Sequence, residues 1–378
     1  MAGKQEARGI SSLPQELYDE ITFFFANGSL ESGARNTRLM CLRLASLPFN
    51  RSATRVLFSA VELDITRLCR KAQLSSSSIM SVFTSDLCHF IRYLTIHPCE
   101  NLRQGLSNTV EQPYNNLLQC LRKLPSLQYF AIAHVSDDVH AQVDSILQAL
   151  QHAHPYLPRL KGLKISSPGL YDNQESESTP RLWRLEGVLR TYLPQLQHIE
   201  IEFLCWEGER NKGHFLDPNF LLLFRLGRGL QSIRLAGCAR ATSCYYEHEK
   251  QKPIHWLHPN APIERIELFE MTVTPQVLAG ILRCKNTLVS LLIYNVYLSR
   301  GKWGDFFQKL HEFPSLSHLA LGSWYCKRGH RSDRDKDSAR SAHNMAEQRK
   351  KALPREKVRK IIAEPLAQIT SRHDVYLY

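Results

Sequence analysis

The chain has no apolar run long enough to cross a bilayer. Its longest, such as Phe220–Phe224, is five residues, against the roughly 20 a membrane helix needs. Met1–Gly9 carries Lys4 and Arg8 with no apolar stretch behind them, which argues against a secretory signal. The ten cysteines form no CxxC pair and no regular spacing, so neither a disulfide framework nor a standard zinc site is expected. P-loop, GxGxxG, GxSxG and HExxH motifs are all absent. No two carboxylates stand out as an acid–base pair. Cys238, Cys244, His248, His255 and His258 come nearest to a metal cluster, but their spacing does not fit. These absences point to a soluble, non-catalytic chain without cofactor or membrane partner, with free thiols in a reducing compartment, cytoplasmic or nuclear.

Acidic charge is also in deficit, with 36 Asp and Glu against 48 Lys and Arg and a net charge of +12. Most of that excess is local. Cys326–Lys360 holds 13 Lys and Arg against 5 Asp and Glu, or +8 of the +12. Residues 326–352 therefore read as a basic insertion with too little apolar surface to offset the entropy of ordering. A nuclear-import or nucleic-acid role is one reading of it. The segment lacks the interleaved aromatics that stack bases, so nucleic acid is the less favoured partner.

The hydrophobic residues that are present, 43% of the chain, fall into two patterns. The first is N-terminal. Pro14 suits a first helical turn, Ser12 and Gln15 fit a capping box, and Leu17, Ile21, Phe24 and Phe25 share one helical face. Asn27-Gly28-Ser29 ends that helix. A second helical stretch follows, with Leu39, Leu42, Leu44, Leu47 and Phe49 as its apolar positions, and leads into an alternating, strand-like segment near Leu63.

The second pattern is a repeat. Apolar-x-x-apolar-x-apolar occurs at Ile91, Leu127, Leu160, Leu196, Leu230, Ile263, Leu288 and Leu316, at intervals of 36, 33, 36, 34, 33, 25 and 28 residues. The last two apolar positions alternate and so face one side of a short strand. Between the strands lie helical patterns: Val139 to Leu150, Leu182 to Tyr192, and a third opened by Thr274-Pro275 and carried by Val277, Leu278 and Ile281. Leu353–Ile369 reads as a helix and Asp374–Tyr378 as a last strand.

Leu13-Pro14-x-Glu16-Leu17-x-x-x-Ile21 resembles the opening of an F-box. Arg43 to Phe58 resembles the second half of F-boxes of the fungal type, with Ala45 where the pattern carries Val. The repeats resemble leucine-rich repeats in a long, irregular form, and Ile91–Cys99 and Leu230–Cys238 complete the LxxLxLxxC version. The resemblance implies an α/β chain: a small helical F-box over residues 1–62, a leucine-rich-repeat-like solenoid over 63–325, the basic insertion over 326–352, and a terminal repeat over 353–378. It also implies docking of Leu13, Pro14, Leu17 and Ile21 to a Skp-type adaptor and, through it, to a cullin–RING ubiquitin ligase. The repeats would then hold a protein substrate. A protein-interaction scaffold of the same repeats without a ubiquitin role is the alternative.

Overall fold

The computed structural model describes residues 13–27, 32–64, 83, 85–98, 111–133, 140–168, 182–204, 218–237, 255–299, 302–322, 324–326 and 374–377. Three helices come first: α1 (Gln15–Asn27), α2 (Ser32–Ala45) and α3 (Leu47–Leu57). Then strands and helices alternate: β1 (Ala60–Asp64), β2 (Tyr93–His97), α4 (Glu111–Arg122), β3 (Tyr129–Ile132), α5 (His140–Ala153), β4 (Gly162–Pro168), α6 (Leu182–Tyr192), β5 (His198–Leu204), α7 (Pro218–Leu222) and β6 (Ser232–Ala236). The chain continues through β7 (Arg265–Phe269), β8 (Thr272–Val273), α8 (Pro275–Arg283), β9 (Ser290–Tyr294), β10 (Val296–Leu298), α9 (Trp303–Leu310), β11 (His318–Leu321), β12 (Trp324–Cys326) and β13 (Asp374–Leu377).

The fold is mixed α/β around a parallel sheet. Ten strands pair in the order β1-β2-β3-β4-β5-β6-β7-β9-β11-β13. All eight apolar triplets enter this sheet, with β1 and β13 added at its two edges. The triplets stack in register: Leu94, Phe130, Leu163, Ile199, Ile233, Ile266, Leu291 and Leu319 form one buried row across the strands. Ile96 to Leu321 form the second. The first apolar residue of each triplet, from Ile91 to Leu316, is buried at the turn into its strand.

At each of those turns a single carbonyl accepts two N–H groups from the next strand. Ser59 O takes Arg92 and Tyr93, Arg92 O takes Gln128 and Tyr129, and Gln128 O takes Lys161 and Gly162. The series continues through Lys161, Gln197, Gln231, Glu264 and Val289 to His318, at 2.7–3.0 Å. A carbonyl has two lone pairs, so both donors are satisfied.

Strands added one after another with right-handed crossovers leave all the crossover helices on one side. The inward faces of α4, α5, α6, α8 and α9 join the same core as the strand rows, for example Leu121, Leu147, Leu189, Ile281 and Phe307. The other face of the sheet is charged and polar across β4–β7 and more apolar towards β9 and β11. This departs from the usual parallel sheet, which is covered on both faces and reads as continuous apolar runs.

Several local expectations need correction. The second helical stretch is two helices, because Ser46 starts a new one, its side chain accepting from Phe49 N–H at 3.5 Å, with Pro48 in the first turn. Leu44 and Leu47 flank that break and are exposed. Pro14 precedes α1, and its carbonyl accepts from Leu17 N–H at 3.1 Å. Thr274 stands at the start of α8 with Pro275 after it, but its side chain makes no capping bond. The strand-like segment expected near Leu63 is present: Ala60–Asp64 pairs with β2 at the edge of the sheet.

A second, three-stranded parallel sheet, β12-β10-β8, has no counterpart in the expected pattern. It forms where the chain turns sharply after β7 and β9, at Glu270 (φ 49°) and Asn295 (φ 55°). Asn tolerates that left-handed conformation, whereas Glu there is strained by about 1 kcal/mol.

Two features of the core can be tested. Trp256, fully buried, donates from Nε1 to Val277 O at 3.1 Å. A Cβ on Gly280 would lie 2.0 Å from that nitrogen. Gly→Ala in a helix ordinarily gains up to about 1 kcal/mol, but overpacking a fixed indole loses about 1–3 kcal/mol. The clash wins, and Gly280→Ala is expected to lower stability by about 1–2 kcal/mol in denaturant unfolding.

Burial pushes the Cys120 and Cys284 thiols from the ordinary 9.0 up to about 12. Below pH 9 their neutral forms contribute fully. As pH rises from 9 towards 12 only the unfolded chain ionises them, so stability falls across that window. In the native protein, mass spectrometry after alkylation should find the exposed Cys41 modified before the buried Cys88, Cys120 and Cys284, the last two staying protected until unfolding.

Candidate functional site

Two surfaces remain after the core is accounted for. The first is on α1, which carries two apolar sets on neighbouring faces, one buried and one largely exposed. Tyr18, Thr22 and Ala26 are buried against the other helices, with the Tyr18 ring edge-on to Phe49 at 4.7 Å. Polar contacts hold the same side. Gln15 Nε2 donates to Ser52 Oγ at 2.7 Å, Ser52 Oγ donates to Asp19 Oδ1 at 2.6 Å, and Arg55 pairs with Asp19 at 3.2 Å. Gln15 therefore joins α1 to α3 through its amide N–H. Ser12 lies outside the described residues.

The neighbouring face carries the residues singled out from sequence. Leu17 is 40% exposed, Phe24 74% and Phe25 43%. Pro14 is exposed, and Leu13 and Ile21 are half-buried. All four expected docking residues are thus at the surface, and Leu17 and Ile21 stand one helical turn apart. Met40, Leu44 and Leu47 are exposed on α2 and α3 as well. These large apolar side chains together leave an exposed apolar patch on a small helical unit.

The second surface is the open face of the sheet. Because the strands are in register, its side chains form rows. The residue between the last two apolar positions of each triplet supplies the middle row: Thr95, Ala131, Lys164, Glu200, Arg234, Glu267, Leu292 and Ala320. Four consecutive members alternate in sign. Lys164 Nζ lies 2.7 Å from Glu200, Arg234 Nε lies 3.3 Å from Glu200 and 3.7 Å from Glu267, and Arg265 pairs with Glu267. In the next row Ser166 Oγ donates to Glu202 at 2.9 Å. The Arg234 guanidinium also lies over the Phe269 ring, 4.6 Å from its centre.

A recess of about 230 Å³ opens here, lined by Tyr129, His198, Glu200, Ser232, Arg234 and Arg265 among others. The Tyr129 ring lies across Gly162, where a Cβ would sit 2.2 Å from it. Burial pushes its phenol up to about 12, aided by Glu200 and opposed by Arg234. The sign alternation was readable at intervals set by the repeat, but its meaning depends on register.

His255 and His258 have ordinary partners: His255 Nε2 meets Arg283 at 3.1 Å, and His258 Nδ1 accepts from Asn260 N–H at 3.1 Å. Cys238, Cys244 and His248 lie outside the described residues, as do residues 169–180 and 207–217, the basic segment 327–351 and the sequence pattern of 353–369. Among the described residues no group of His, Cys, Asp and Glu could hold a metal ion. None of the described helices is long and apolar enough to cross a membrane.

No protein-family model and no curated protein matches the chain. The two surfaces are accordingly read from their own chemistry.

The helical unit offers a direct test of its packing. Thr22 Oγ1 is buried with no hydrogen-bond partner. A stranded hydroxyl costs about 1–3 kcal/mol, and Val has nearly the same shape. Thr22→Val should leave the fold intact and raise the stability of the helical unit by roughly 1 kcal/mol in thermal or chemical unfolding.

Proposed function

We propose that the chain is a substrate-recognition subunit of an SCF-type cullin–RING ubiquitin ligase. Residues 13–58 act as an F-box on a Skp-type adaptor, and the sheet is a leucine-rich-repeat-like solenoid that holds the target. The observation that carries the reading is the two-faced α1. A helix that only capped the sheet would turn its motif residues inward. Here Tyr18, Thr22 and Ala26 do the internal packing, while Leu17, Ile21, Phe24 and Phe25 face away from it. The side chains that match the docking motif are the ones left for a partner.

In this role the chain is not catalytic. It raises the local concentration of a target beside the conjugating enzyme, which for a tethered pair reaches the millimolar range. The sheet suits the holding task, because strands stacked in chain order spread one face over many repeats.

Co-expression with a Skp-type adaptor and affinity capture tests the proposal. The intact chain is expected to retain the adaptor. The double variant Leu17→Asp and Ile21→Asp should lose it by at least tenfold, about 1.4 kcal/mol or more, while its unfolding transition stays within experimental error of the parent. No capture by the intact chain, or undiminished capture by the folded double variant, overturns the proposal.

A further inference from the structure

The charged rows on the open face carry a more specific reading, which deepens the target-holding role proposed above. Their acids and bases lie at different depths. The side chains of Glu267 and Glu200 are only 7% and 18% exposed, while those of Lys164, Arg234 and Arg265 are 32%, 42% and 60% exposed. The floor of the recess is anionic and its rim is cationic. An approaching group meets the guanidinium and ammonium ends before it meets a carboxylate.

The rim also has hydrogen-bond donors to offer. Arg265 engages Glu267 through Nε and Nη2, and a guanidinium has five N–H donors in all. Ser232 stands beside Arg265 in register, with His198 on its other side. Arg234 also rests over Phe269 and between Glu200 and Glu267, contacts that limit the side-chain entropy it loses on binding.

The charge count selects the ligand. Among the residues lining the recess, Arg234 and Arg265 are balanced by Glu200 and Glu267, so it is near neutral overall. Such a site suits a single carboxylate better than a dianion. Alongside it the face turns apolar. Leu292 follows Glu267 in the middle row, and Tyr294, 42% exposed, follows Phe269 in the next, their rings 6.2 Å apart. In this register Leu292 lies about 8–10 Å from Arg234 and Arg265, and Tyr294 lies two residues farther along β9, about 12–14 Å away. In an extended chain, residues i and i+2 are about 6.6–7 Å apart and point the same way.

We infer that the open face binds an extended acidic peptide of a partner protein. Such a peptide crosses the strands with a carboxylate side chain between Arg234 and Arg265 and an apolar side chain two residues away on Leu292 and Tyr294. The recognised pattern is acidic-x-apolar.

Fluorescence anisotropy with the full chain and labelled peptide pools tests this. Each pool fixes one pair in an otherwise uncharged extended sequence: Glu-x-Leu, Lys-x-Leu, Glu-x-Ser or phosphoserine-x-Leu. The Glu-x-Leu pool is expected to bind at least tenfold more tightly than the Lys-x-Leu and Glu-x-Ser pools. Ser232→Glu places a competing carboxylate on the rim and should weaken Glu-x-Leu at least tenfold, whereas Ser232→Lys should retain or tighten it. Unchanged thermal unfolding of both variants separates lost binding from lost folding.

Equal binding of the Lys-x-Leu pool, insensitivity to Ser232→Glu in a folded chain, or no binding of any pool at about 100 μM protein overturns the inference. Tighter binding of the phosphoserine pool overturns the choice of carboxylate. Adaptor capture is independent of these readings. Failure to capture with retained peptide binding removes the ligase proposal alone, and the reverse result removes the peptide site alone.

Discussion

The whole architecture depends on in-register stacking of parallel strands, started at each turn by one doubly used carbonyl. Ser59 O orients β2, Arg92 O orients β3, and the relay runs on to β11. Once two successive N–H groups are fixed on the previous repeat, the phase of the next strand is set. Its second and third apolar residues must then fall beside their counterparts. No single strand and helix could bury its apolar side alone, so each repeat takes its stability from its neighbours. The two core rows and the helices laid over them follow from this one constraint.

That relay explains why so much of the sheet was legible in the sequence. The apolar triplet encodes a turn residue and two inward side chains, and parallel pairing does not alter which ones face inward. What was less legible depends on exceptions. The sheet β12-β10-β8 arises where the chain enters a left-handed conformation at Glu270 and Asn295. Glu carries no signal for such a turn, unlike Gly or Asn. The division between α2 and α3 turns on Ser46 and Pro48, a helix-start signal hidden within an apolar pattern that runs through Leu44 and Leu47. Those two leucines look like core and are exposed, because apolar periodicity records which residues share a face and not what covers it.

The same ambiguity governs α1. Its sequence holds two interlaced apolar sets: Tyr18, Thr22 and Ala26, and Leu17, Ile21, Phe24 and Phe25. Periodicity favoured the second set because it is larger and more hydrophobic. The weaker set, assisted by the Gln15–Ser52–Asp19–Arg55 network, is the one that packs. A small unit that spent its strongest apolar residues on its own core would have nothing left for a partner. Here the internal packing uses Tyr18, Leu39 and small or polar groups, even leaving Thr22 Oγ1 unpartnered, and Leu17, Phe24 and Phe25 remain outside.

Register also joins the core to the charged face. Shifting any of β4 to β7 by one residue would turn Lys164, Glu200, Arg234 or Glu267 into the apolar layer and put a buried aliphatic side chain in water. An unpaired charge in that layer costs several kcal/mol, and each exposed aliphatic side chain loses about 1.5–3 kcal/mol. Alternating signs add a second penalty, because a shifted strand would lose its cross-strand partner and, in some registers, face a like charge. The ladder is therefore more than a surface decoration. It excludes wrong registers in the middle of the sheet, where a slip would disrupt the most neighbours. At β9 and β11 the same row becomes Leu292 and Ala320, which carry no charge to resist a slip. There the kinks after Phe269 and Tyr294 and the small second sheet fix the strands instead, and this leaves the adjoining open face free to be apolar.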